Sequence, residues 1–250
     1  MQSFEELLNQ LRGADDPTAY NILLQLTESA MKATRPGAES ERQALAATIR
    51  TELSRTPETP ADQPAKAGTL YPLTLQQTII TRLLCYVAGD EEIPFLAGAM
   101  TNLDIREAAR CALACNPSPA ATKALIDALN AIGPEFLTGV VSSLGQRQCP
   151  EAMTALQKLA VDETYDMQVR LAAVDMLANY PEPANDEIIL AIAQSPCSKA
   201  KAAAARVRLA ETLNKVGNKN AARNIYQAIK ACKCDHPAQK KAAELALQNM

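Results

Sequence analysis

The sequence predicts an all-α protein, a solenoid of stacked helix hairpins preceded by a helical cap. Three observations predict it. Alanine supplies 46 of the 250 residues and glycine only 9, a composition that favours helix almost everywhere. Aromatic residues reach 4% and Trp is absent, whereas a sheet draws on aromatic and β-branched side chains. Apolar residues recur at helical spacing, in segments punctuated by Pro, Gly, Asn and Asp, and the segments come in pairs at a repeat of roughly 30 residues. With hydrophobic residues at 48%, the chain is long enough to bury a core without disulfide or metal staples.

Each element has a local reason. Ser3-Phe4-Glu5-Glu6 is a capping box, so a short helix starts there and runs through Leu11. Asp15-Asp16-Pro17-Thr18 caps a second helix carrying Tyr20, Ile22, Leu23, Leu24 and Leu26, which Arg35-Pro36-Gly37 ends. Glu39 to Arg55 forms a third, with Leu45, Ile49 and Leu53 at four-residue spacing. Residues 56–72 hold Pro57, Pro60, Pro64 and Pro72 and read as a linker. This divides the chain into a helical cap (1–55), a Pro-rich linker (56–72) and a solenoid (73–250).

Leu73 to Val87 opens the solenoid as one apolar helix, and five helix pairs follow, starting at 92, 119, 150, 185 and 218. The expected spans are 92–100 with 104–114, 119–132 with 134–144, 150–160 with 166–178, 185–195 with 198–216, and 218–231 with 237–250. Ser118-Pro119, Gly133-Pro134, Cys149-Pro150 and His236-Pro237 put Pro at the first helical position, where its missing N–H costs nothing. No single pair buries its apolar face, so neighbours must stack.

Ile105-Arg106-Glu107-Ala108-Ala109-Arg110-Cys111-Ala112-Leu113 and Val169-Arg170-Leu171-Ala172-Ala173-Val174-Asp175-Met176-Leu177 share a pattern. In each, an Asp (Asp104, Asp166) precedes Val/Ile-Arg-x-x-Ala-x-x-x-Leu. On these stretches the sequence resembles the bacterial HEAT-repeat proteins over roughly residues 91–250. The resemblance implies a right-handed α-solenoid of HEAT-like hairpins, in which Asp104, Arg106, Asp166 and Arg170 form a structural ladder between repeats. Val140 to Gly145 departs from the pattern, lacking both Asp and Arg. In the closing hairpin, Leu209, Ala210, Leu213, Gly217, Ala222 and Tyr226 sit at tetratricopeptide-like spacing. The fold hosts binding proteins and a few enzymes, so it implies little about function.

Charge narrows the options. The net charge is −3, but residues 196–250 hold eleven Lys/Arg against three acids, a balance of +8, which leaves −11 on the first 195 residues. Such asymmetry suggests an acidic partner at the C-terminal end, a head-to-tail contact, or a solvated helix face. Lys201, Arg208 and Lys215 recur every seven residues on one long helix, away from the Ala202, Leu209, Leu213 stripe, with Lys199 and Arg206 nearby in sequence. These five are the candidate partner-binding residues. A basic stripe of this kind also suits phosphates, but the acidic total and the lack of interleaved aromatics disfavour nucleic acid.

A single His excludes any site that needs two imidazoles. That counts against a lyase or hydroxylase on HEAT-like repeats, since such a hydroxylase needs a dense set of His and carboxylate iron ligands. The most metal-like string is Cys232-Lys233-Cys234-Asp235-His236, and stacking brings Cys197 to the same edge. A zinc site, a disulfide from Cys197 to Cys232 or Cys234, and independent thiols all remain open, and metal is not the favoured reading. Cys85, Cys111 and Cys115 fall on apolar helix faces and read as small buried hydrophobes. Glu5/Glu6, Asp15/Asp16 and Glu91/Glu92 sit at helix starts, where they complement the dipole.

The expected function is a non-enzymatic protein-interaction scaffold or adaptor whose basic C-terminal region meets an acidic protein partner; a nucleic-acid-binding repeat protein of the repair type is the alternative. No cofactor is expected, and no membrane span, since no stretch approaches about 18 apolar residues. The N-terminus carries no secretory signal, so a cytoplasmic protein is the default expectation, and an exported one where a signal peptide has been removed.

Overall fold

The computed structural model describes residues 2–12, 14–54, 73–194, 196–233 and 236–250, with the backbone alone for 73, 196 and 197. Every regular element among them is helical, fourteen α-helices and one 3-10 turn. The expected linker, 56–72, lies outside the described residues. The chain divides into two units, residues 1–132 and 133–250.

In the first unit, α1 (Phe4–Leu11) starts at the expected capping box, with Glu6 N–H donating to Ser3 Oγ at 3.2 Å and Ser3 N–H to Glu6 Oε2 at 2.7 Å. Asp15 caps α2 (Asp16–Lys32) by accepting from Thr18 N–H at 3.0 Å. The chain then turns at Gly37, whose φ of +82° belongs to the left-handed region that glycine adopts without strain. α3 (Glu39–Leu53) follows, then α4 (Leu73–Val87), and both α2 and α3 pack on α4. The cap helices thus share a core with the first solenoid helix: Leu26, Ile49 and Leu84 are all at or below 1% exposure. Each such side chain stabilises the unit by about 1.5–3 kcal/mol. Tyr20 and Leu24, expected on the apolar face of α2, are exposed.

α5 (Ile93–Ala99), α6 (Arg106–Cys115) and α7 (Pro119–Ala128) complete this unit, with α6 packed against α4, α5 and α7. α4 and α6 run parallel. Thr78 Oγ1 donates to the Asp104 carbonyl at 3.0 Å at one end, and Asn116 Nδ2 donates to the Ala88 and Gly89 carbonyls at 3.3 and 3.1 Å at the other. Between those pins α6 turns Ala108, Ala109 and Ala112 inward, and small residues let the helices come close.

The second unit holds α8 (Pro134–Arg147), α9 (Pro150–Val161), α10 (Met167–Leu177), α11 (Asn185–Ala191), α12 (Pro196–Lys215), α13 (Lys219–Ala231) and α14 (Pro237–Gln248). α10 packs on α8, α9 and α12, and α13 on α12 and α14. Helices in succession therefore share buried faces, as stacked hairpins require. Buried Asn185 ties three helices, accepting from Gln157 Nε2 at 2.8 Å and donating to the Leu177 carbonyl at 3.2 Å. Tyr180 OH donates to the Leu144 carbonyl of α8 at 2.9 Å.

The expected ladder is corrected in part. Asp104 does not cap α6 with its carboxylate. Asn102 intervenes, its side chain taking Asp104 N–H at 3.0 Å and its carbonyl taking Arg106 N–H at 2.8 Å, so Asp104 stays exposed and Arg106, half-buried, opens the helix. Asp166 caps α10 by accepting from Gln168 N–H at 2.7 Å. Arg170 Nε donates to the Ala160 carbonyl at 3.1 Å, on the last turn of α9, where a cation is favoured by the helix dipole. That link lies inside one hairpin. Tyr180 and Thr212 link successive hairpins, the Thr212 hydroxyl donating to the Ala178 carbonyl at 3.1 Å.

Candidate functional site

Three of the five basic residues on α12 are exposed and unpaired among the described residues, and two are engaged in ion pairs. Ala-rich packing turns Ala202, Ala205, Leu209 and Leu213 inward. Arg206 falls on that same stripe and is 7% exposed. Its guanidinium meets Asp186 of α11 in a bidentate pair, Nε to Oδ1 at 2.6 Å and a terminal nitrogen to Oδ2 at 3.0 Å, so it holds α11 to α12 rather than a partner. Arg208 is half-buried and paired with Asp175 of α10. Lys199, Lys201 and Lys215 are exposed and form no ion pair among the described residues. Lys201 and Lys215 share the outer face with Arg208, whereas Lys199 sits about 200° around the helix from Lys201.

The basic surface continues beyond α12. Lys219, Arg223, Lys230 and Lys241 are exposed on α13 and α14. Lys230 approaches Glu244 only at 4.0 Å. Tyr226 is the sole aromatic residue after position 196 and is 1% exposed, so the surface offers cations without stacking rings.

At the metal-like string, Cys232 is disulfide-bonded and caps the C-terminus of α13. A sulfur in a disulfide has no thiolate to offer a metal. Cys234 and the side chain of Cys197 lie outside the described residues, and half-buried His236 precedes α14 without capping it. Among the described residues no group of three or more His, Cys, Asp or Glu is arranged to hold a metal ion, and no helix is long and apolar enough to cross a membrane.

Two features escaped the sequence reading. The first is an apolar groove of about 430 Å³ between α5 and α7, floored by Ala97, Met100, Ala124 and Ala128 and edged by the Lys123–Asp127 pair at 2.6 Å. The second is a gathering of thiols. The parallel pairing of α4 and α6 sets Cys85 across from Cys111 and Cys115, which lie one turn apart on α6. Burial pushes the Cys85 thiol up to about 12, and the nearby Cys115 sulfur adds to the rise. Burial also raises Cys111, which accepts from Arg110 at 3.3 Å and lies 3.8 Å from Glu107 Oε1. Neither feature has a motif, because each needs the pairing of two helices that only the stacked structure supplies.

No family model and no curated protein matches this chain. Among solved structures it is similar to human deoxyhypusine hydroxylase in complex with glycerol, at 12% identity and a TM-score of 0.37 over 82% of this chain and 95% of that one. It is also similar to an engineered protein, at 17% identity and a TM-score of 0.30 over 100% and 96% of the two chains. The expected non-enzymatic scaffold or adaptor role is corrected at this point. The first of these neighbours is an enzyme, and a scaffold role is not shown. A likeness this weak gives no firm ground for either answer.

Proposed function

We propose that the C-terminal hairpins of this chain bind an acidic protein segment on their basic outer surface. The observation that carries the reading is the pair Lys201 and Lys215, exposed on one face of α12 and in no ion pair among the described residues, in a stretch whose balance is +8. Lysine ammonium groups are mobile point charges that suit carboxylates spread along a flexible segment. The single aromatic residue of this stretch, Tyr226, is buried, which removes the stacking platform that single-stranded nucleic acid uses. The reading concerns binding and holds whether or not the chain catalyses a reaction.

Fluorescence anisotropy tests it, with a labelled Glu-rich 20-mer peptide titrated by the whole protein across a salt series. Binding is expected at low salt and weakens as salt rises. The double variant Lys201→Glu/Lys215→Glu is expected to weaken it about tenfold with Tm unchanged, since charges at a rim set affinity through roughly 0.5–1 kcal/mol each. Arg206 and Arg208 are left intact because each is paired with a carboxylate of a neighbouring helix. No binding at low salt, or equal binding by the variant, overturns the reading. Tighter binding of a duplex or single-stranded DNA probe also overturns it, in favour of a nucleic-acid partner.

A further inference from the structure

We infer that Cys85 and Cys115 form a dithiol that a low-molecular-weight disulfide, such as oxidised glutathione, converts into a covalent staple between α4 and α6. The register of the two helices carries the inference. Thr78 lies against Asp104 and Ala88 against Asn116, so Cys85 meets the last turn of α6 at Cys111 and Cys115. α6 packs against α4 and buries the small side chains Ala108, Ala109 and Ala112, and a disulfide requires a Cβ separation of about 3.5–4.5 Å. The Cys115 sulfur is near enough to help raise the Cys85 thiol above its ordinary value.

Two geometric facts select this pair among the three thiols. Cys111 and Cys115 are four residues apart on one helix, where Cβ atoms stand about 5–6 Å apart, too far for a disulfide. Cys111 is in addition held by Arg110 and Glu107. All three are free thiols, with Cys115 exposed and Cys85 and Cys111 half-buried.

Exposure orders the two steps. The Cys115 sulfur gives up its proton and attacks one sulfur of the small disulfide; that S–S bond breaks, and one small thiol leaves with a proton. Cys85 then gives up its proton and attacks Cys115 Sγ in the mixed disulfide, forming the Cys85–Cys115 bond and releasing the second small thiol. Two protein thiols lose two electrons and two protons, and one small disulfide becomes two thiols.

The test is mass-spectrometric. The whole protein is incubated with oxidised glutathione at pH 8, blocked with N-ethylmaleimide and digested with trypsin without reduction. Cys85 lies in the peptide 83–106, and Cys111 and Cys115 share the peptide 111–123. A cross-link between these peptides is expected, retained in Cys111→Ser and lost in Cys115→Ser, a substitution at an exposed site that the fold tolerates. Closing the loop of about 30 residues is expected to raise Tm by about 5–10 °C. The inference is overturned if all three thiols are alkylated, if glutathione stays on Cys115 while Cys85 is alkylated, or if the link persists in Cys115→Ser.

Discussion

At the scale of single residues, Gly145 sets how closely α8 and α10 approach. A Cβ at that position falls 2.4 Å from Met176 Sδ and 2.6 Å from Met176 Cβ. The second of these atoms is fixed to the α10 backbone, so rotation of the Met side chain does not relieve the clash. Gly145→Ala is expected to cost about 1–3 kcal/mol, read as a lowered urea midpoint. Shortening the neighbour with Met176→Ala is expected to return only part of it, because the Cβ atom remains. Tyr180 lies at the same joint and makes stability depend on pH. Burial, with Cys149 nearby, pushes its phenol up to about 12, while an unfolded tyrosine ionises near 10. Between those values the folded protein keeps a proton that the unfolded chain has lost, so its contribution is complete below about pH 10 and is lost as pH rises through about 12. Tyr180→Phe is expected to cost about 1 kcal/mol at neutral pH through the lost bond to Leu144. The same variant should lose less stability than the parent between pH 10 and 12 in denaturant titrations.

At the scale of elements, the sequence showed where helices begin more clearly than where they end. Pro119, Pro134, Pro150 and Pro237 each open a helix at the expected residue, because a fixed φ and a missing N–H act locally. α7 stops at Ala128 rather than 132, and α11 at Ala191 rather than 195. Apolar residues such as Leu129 and Ile192 continue the helical rhythm past the last turn and are buried from the connection itself. Arg206 shows the complementary limit. It sits four residues after Ala202 and three before Leu209, so spacing alone placed it on the inner stripe, while its charge argued for the surface. Asp186, twenty residues away on α11, decides the matter. Arg206→Ala leaves that carboxylate unpaired in a nearly closed site and is expected to cost about 2–4 kcal/mol. Arg206→Met combined with Asp186→Leu should recover most of the loss, and a double-mutant cycle by chemical denaturation checks it. The thiols of α4 and α6 were illegible for the same reason, since nothing local announces that helices 20 residues apart in sequence lie parallel.

At the scale of the molecule, the division at residues 132 and 133 determines which fragment tests the basic surface fairly. Ending the chain near residue 195 removes α12 and uncovers Leu177 of α10 and Ile189 of α11, both at 0% exposure in the intact unit. The loss of peptide binding in such a fragment would report unfolding as much as a missing site. Residues 133–250 keep α8 through α14 together, with the Arg206–Asp186 and Tyr180–Leu144 links intact. A piece with its own core is expected to fold alone, so the fragment 133–250 should melt cooperatively with helical circular dichroism. It should also bind the Glu-rich peptide as tightly as the whole protein, since every cation invoked lies in it. Residues 1–132, which lack all of those cations, should not bind the peptide at the same salt. Cooperative folding of 133–250 without peptide binding would show that the basic surface does not suffice, and would return the question to the groove between α5 and α7.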